Sequence, residues 1–185
     1  AVNETPVTGT YTNDSESFGQ AMKGVAQLIK YTASLQDGKN RFIQVVIQNW
    51  DSHSGTIGVD SLVSLLGSNI GALITDLTAA GLWNRTALFT TTEFGRLNYA
   101  NGGFGTDHGQ GAITLVLGGQ VAGGFVGEPF TLADLNRDCP AMDIAFQNVF
   151  AQVFAWMGYS SNQIGQIYDP AEYPVRNLQL FQNPA

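Results

Sequence analysis

Apolar residues at Phe18, Met22, Val25, Leu28 and Ile29 recur at intervals of three and four, the spacing of an amphipathic helix, and Asp37-Gly38 supplies its stop and turn. The run RFIQVVIQNW, residues 41–50, is β-branched and bounded by Lys39-Asn40 and Asp51, which predicts a strand buried on most of both faces. Leu62, Leu65, Leu66, Ile70, Leu73, Ile74 and Leu77 then hold the helical period as far as Gly81, with Asp60 placed to cap the helix. TALFTTT (86–92) predicts a second strand and AITLVLGG (112–119) a third. Strand, crossover helix and strand make the βαβ unit of a parallel sheet, which gathers ligands at the C-terminal ends of its strands. Asp51 and Glu93 are expected at that edge.

Between the second and third strands, NYANGGFGTDHGQG has five glycines in fourteen residues and is expected as a loop. Gly118, Gly119, Gly123 and Gly124 bracket a tight turn, and Leu135 to Pro140 lead into a final apolar helix over 141–157. Along that helix Phe146, Phe150, Phe154 and Trp156 read as a core face, with Trp156 near its edge. Residues 1–16, rich in Thr, Asn, Ser and Gly, read as an extended or loose arm, and 168–185, with Pro170, Pro174 and Pro184, as an irregular tail. The expected organisation is therefore arm (1–16), an α/β domain portion (17–167) and tail (168–185).

The composition narrows the partners. Lys and Arg number 8 against 15 Asp and Glu, a net charge of −7, with only three lysines, so the basic stripe that neutralises phosphates is missing and nucleic acid is not expected. The 13 Gln and 13 Asn outnumber the charged side chains, so most surface polarity comes from neutral amides. No apolar run reaches the roughly 18–20 residues of a membrane span, and the polar start is unlike a signal peptide. A first residue of Ala rather than Met leads to the expectation of a processed or excerpted chain. Cys139 is the single cysteine, which removes an internal disulfide and a multi-thiolate metal site.

The two histidines carry the strongest chemical signal. Each follows an aspartate in a loop expected to border the sheet: Asp51-Ser52-His53 and Asp107-His108. Imidazole nitrogen with carboxylate oxygen suits zinc or manganese, with calcium an alternative, and Glu93 adds a third acid at the same edge. Each pair also has a plain structural reading, an Asx turn with its own backbone hydrogen bonds. Glu93 and Arg96 are spaced for a local ion pair, while Arg96 also has the planar fork to contact an anion.

WDSHS, TTTEFGR and GTDHGQG followed by AITLVLGG and VAGG resemble, in order, the motifs of a bacterial exported family known as domain of unknown function fifteen-oh-one. The resemblance covers roughly residues 40–160. That family is similar in fold to the alkaline phosphatase and sulfatase group, so the resemblance implies an alkaline-phosphatase-like α/β fold. A mainly parallel or mixed sheet would be flanked by helices, with this chain an incomplete, C-terminal portion. It also implies a periplasmic or extracellular location and Asp51, His53 and His108 on one ion, with Asp107 beside His108. Glu93 would stand where the larger group uses an acid ligand for a second ion. There an Asp-His pair ligates; here Glu93 is followed by Phe94.

The function so implied is metal-dependent hydrolysis of phosphate or sulfate esters, small or on a glycan. The nucleophile is expected upstream, on a companion fragment or parent chain. The alternative is a non-catalytic secreted binding or structural protein that keeps the fold and one metal. A serine hydrolase built on Ser52, Ser54 and a histidine is disfavoured, because the G-x-S-x-G elbow is missing. Sequons at Asn3, Asn13 and Asn84 matter only in a eukaryotic secretory setting.

Overall fold

A computed structural model describes residues 2–12, 18–55, 58–127, 144–173 and 176–182. The lead-in 135–140 with Cys139, the expected first turn of the last helix at 141–143, Asn13, Pro174 and Pro184 lie outside the described residues. The chain divides into two compact units, Ala1–Asn84 and Arg85–Ala185.

The first unit is built on two helices, α1 (Phe18–Ser34) and α2 (Val59–Ala79). Both follow the apolar period. Met22 and Ala26 of α1 and Ile70, Leu73 and Leu77 of α2 are buried, as that spacing requires. Gln36 and Gly38, both at positive φ, turn the chain after α1, and Gly81 does so after α2. Asp60 does not cap α2. Gly58 occupies the N-cap with no side-chain hydrogen bond, and Asp60 sits inside the first turn, where its charge complements the helix dipole. By length and composition alone α2, with a mean hydropathy of 1.4, is apolar enough to cross a membrane, contrary to the sequence expectation of no such run. Its polar residues Asn69 and Asp76, spaced seven apart, are both buried, and that stripe binds the N-terminal segment.

Asp76 has no exposed surface. Its carboxylate accepts from Thr8 N (2.7 Å), Thr8 Oγ1 (3.2 Å), Gly9 N (3.2 Å) and Tyr11 Oη (2.8 Å), and Lys30 Nζ stands 3.3 Å away. Two turns earlier Asn69 receives Thr12 N at 3.3 Å and donates to Thr12 Oγ1 at 2.7 Å. On α1, Gln27 donates to the carbonyls of Asn3 and Thr5, and Lys30 to that of Pro6. Among its described residues the arm lacks regular structure beyond a 3-10 turn at Val2–Glu4, yet side chains of both helices bond backbone groups of Asn3, Thr5, Pro6, Thr8, Gly9 and Thr12. Burial alone would push the Asp76 carboxyl up; the donors outweigh it and hold the group below the usual carboxylate range. Burial and the neighbouring carboxylate raise the Tyr11 phenol.

Residues 41–50 depart from expectation. They are extended and alternate in burial, with Ile43, Val45 and Ile47 half-buried and Phe42, Gln44, Val46 and Gln48 exposed, but they form no ladder. No backbone hydrogen bond is made by residues 43–49 among the described residues. The β-branched residues set the extended shape; a strand also needs a neighbour, and local sequence does not provide one.

Among the described residues the second unit holds two small sheets. β1 (Ala87–Phe89) pairs with β4 (Val116–Gly118) antiparallel, Leu88 opposite Leu117, while β2 (Gly95–Arg96) pairs with β3 (His108–Gly109). The second and third predicted strands thus pair antiparallel with each other, and the βαβ unit expected across α2 is not formed among the described residues. α3 (Phe146–Trp156) sets Phe150 edge-on against Phe89, with ring centroids 5.1 Å apart. α4 (Ser161–Gly165), absent from the expected elements, starts in a capping box in which Ser160 and Gln163 satisfy each other's backbone N–H. The described residues of the tail are irregular apart from an antiparallel bridge, Val121 to Phe181.

Asp76→Ala should cost roughly 3–5 kcal/mol by urea unfolding, since it strands buried donors and one lysine. The Asp76 carboxyl is depressed in the folded state, so its stabilisation is full above the ordinary carboxylate pKa and is lost as pH falls through the lower folded value. In Asp76→Asn this part of the acid dependence should vanish; an unchanged acid profile would contradict the assignment. Amide hydrogens of residues 43–49 should exchange without protection, read residue by residue by NMR, and slow exchange there would show a pairing partner.

Candidate functional site

The expected site residues fall on loops of both units. In the first, the chain leaves the extended segment at Asn49, whose φ is 73°, and turns again at Gly55, with φ of 85°. Between these positions lie Asp51 and His53. His53 Nε2 is 3.1 Å from Asp51 Oδ1, with 45% and 54% of the two side chains open to solvent. Asp51-Ser52-His53 is therefore a local acid–imidazole pair, held by a two-residue spacing and within reach of a solvated cation.

In the second unit, His108 begins β3, its backbone set opposite Arg96. Its ring stacks on Phe94 at 3.6 Å and 13°. The Arg96 guanidinium carbon lies 5.2 Å from the centre of the same phenyl ring, and Nη1 donates to the Thr106 carbonyl at 2.5 Å. One aromatic ring thus orients both the imidazole and the guanidinium. No ion pair joins Arg96 to Glu93 among the described residues, so the spacing that suggested one is not used. Glu93 is exposed, four residues beyond the end of β1.

Asp107 has a structural task. Its Oδ1 accepts from Asn101 Nδ2 at 2.8 Å and its carbonyl from Leu97 N at 3.0 Å. Asn101 organises the loop: its Oδ1 accepts from Gly103 N (2.9 Å) and Gly105 N (3.1 Å), an Asx arrangement that fixes the glycine-rich turn. Sequence reasoning missed Asn101 and Phe94. The Asn-Gly-Gly triplet was the signal available for Asn101, whereas nothing local points to Phe94 as a platform. Two of the glycines are needed for close approach. A Cβ on Gly95 would lie 2.1 Å from the Gly111 carbonyl oxygen, and one on Gly109 would lie 2.7 Å from Leu97 N.

Helices, short sheets and open loops bearing carboxylate and imidazole groups define a mixed helix-and-strand protein with candidate metal-ligating loops. The chain belongs to the family described as "Protein of unknown function (DUF1501)", whose family model matches residues 6–170. No curated protein and no solved structure matches it.

Gly95→Ala should break the β2–β3 pairing. The cross-strand nuclear Overhauser contact between residues 95 and 109 should disappear, and its persistence would contradict the close packing described.

Proposed function

We propose that this protein is a metal-dependent hydrolase-like protein of the phosphatase and sulfatase type, completed by an upstream segment that carries the nucleophile. The observation that carries this reading is the Asp51–His53 pair, a carboxylate oxygen and an imidazole nitrogen 3.1 Å apart in a solvent-open loop. Asp51 and His53 are proposed to ligate one ion, and His108 is proposed as its further ligand by the family resemblance. One oxygen and two nitrogens fit zinc or manganese better than calcium, which prefers a larger, all-oxygen shell. Glu93, exposed on its loop, is proposed for a second position and Asp107 as a neighbour that shapes the His108 loop.

A bound divalent cation would supply Lewis-acid polarisation of an ester oxygen and lower the pKa of a nucleophilic hydroxyl or water. The chain's own residues do the rest. Phe94 holds the His108 ring in one plane, and Arg96, fixed by the Thr106 carbonyl and the Phe94 face, is placed to meet an anionic oxygen of a small ester or a sulfated or phosphorylated glycan. The extended segment 43–49, with Ile43, Val45 and Ile47 on one face and no backbone hydrogen bond among the described residues, supports a sheet that receives further strands from a companion fragment or parent chain, in an alkaline-phosphatase-like arrangement. A periplasmic or extracellular setting accords with that reading. The second reading, a secreted binding protein that keeps one ion without turnover, is favoured by the amide-rich composition.

After loading with zinc or manganese and dialysis, elemental analysis should find bound metal. His53→Ala and His108→Ala should each weaken retention by at least about tenfold. Retention unchanged in both variants would return both histidines to structural roles. Chelator-sensitive turnover of 4-nitrophenyl phosphate or sulfate by the metal-loaded parent chain supports the hydrolase; metal retention by that parent without turnover selects the binding protein.

A further inference from the structure

The second unit contains a cleft of about 610 Å³, in the size range of small-ligand sites, that owes nothing to the histidine loops. Trp156 ends α3, and Gln152, one turn earlier, faces the cleft with it. The opposite wall is the short pairing of residues 120–122 with 180–182, closed by Ala122 N to the Leu180 carbonyl (2.9 Å) and Gln182 N to the Gln120 carbonyl (2.8 Å). Phe181 from that wall stacks on the indole at 5.2 Å and 13°. The indole N–H donates to Gln120 Oε1 at 2.8 Å, which orients that amide and leaves its NH2 group to donate. Leu178 and Leu180 are buried, while Asn177 and Gln179 between and before them line the cleft.

The lining is chemically selective. Among the described residues it holds five side-chain amides, two large aromatic rings and no charged group. An anionic ester would find no cation there, and a purely apolar ligand would leave the amides without partners. Each amide offers a donor and an acceptor side by side, the complement of vicinal hydroxyls. An aromatic face with its negative quadrupole suits the polarised C–H face of a pyranose ring. The side-chain amides of Gln152, Gln179 and Gln182 make no hydrogen bond among the described residues, so they remain available to a ligand. We propose that this cleft is a binding site for a short neutral oligosaccharide, with the ring seated on the Trp156–Phe181 stack and its hydroxyls held by Gln120, Gln152 and Gln179.

Titration of the 15N-labelled chain with maltotetraose, cellotetraose and N-acetylchitotetraose at millimolar concentration tests this. At least one should shift the Trp156 indole signal and the side-chain amide signals of the cleft, equally with and without chelator. Glucose 6-phosphate should leave them in place. Gln152→Leu should weaken binding about tenfold, and Trp156→Phe, which keeps an aromatic face, should weaken it less than Trp156→Ala. The proposal is overturned if none of the three oligosaccharides binds, if Gln152→Leu and Trp156→Ala both bind as well as the parent, or if glucose 6-phosphate binds equally.

Discussion

The first unit depends on one buried carboxylate. Asp76 lies on the apolar stripe of α2, where an unpaired charge would be costly, and its position holds only because two backbone N–H groups, two hydroxyls and the Lys30 ammonium converge on it. The consequence runs outward from that atom group. Thr8 and Gly9 give the arm its path, Tyr11 is drawn into the core, and Lys30 ties the same point to α1. Hydrophobic packing between α1 and α2 supplies the driving force, but the carboxylate decides which segment covers the two helices and in what register.

Helices were the most legible part of the chain. The three- and four-residue spacing located α1 and α2 nearly to their ends, because helical burial is a local property of the pattern. The Ser160-Gln163 spacing that caps α4 was equally open to view and marks a helix that apolar periodicity alone passes over. Strand partners were not legible. RFIQVVIQNW has the composition of a buried strand, yet pairing is decided by what else the fold brings alongside, and the partner that residues 87–89 take, antiparallel, is 116–118. The arm reads as loose because Thr, Gly and Asn look like loop residues; its anchoring comes from Asp76 and Asn69, which in the sequence are only polar interruptions of an apolar helix.

The chemistry-bearing residues divide along the same line. Asp51 and His53 are two residues apart, so their contact was visible in the sequence. Asp107 stands beside His108 in the sequence; its Oδ1 accepts from Asn101, and the His108 ring stacks on Phe94, neither of which neighbouring positions reveal. Arg96 looked like a mate for Glu93, and the strand geometry sends it to the Thr106 carbonyl. Where a contact spans two residues the sequence reveals it; where strand register sets it, neighbours along the chain mislead. Trp156 makes the same point from the other side: it read as the edge of a core face, and its stacking partner comes from the tail assigned to irregular structure.

Family membership sets the frame without supplying a function, so the proposed chemistry turns on whether the histidine loops hold a cation. X-ray absorption at the zinc edge of the zinc-loaded protein reads the ligand shell directly. Ligation by both histidines gives a mixed shell of nitrogen and oxygen at about 2.0–2.1 Å with the outer-shell scattering of about two imidazole rings. A shell of oxygen alone, with no imidazole scattering, would contradict it.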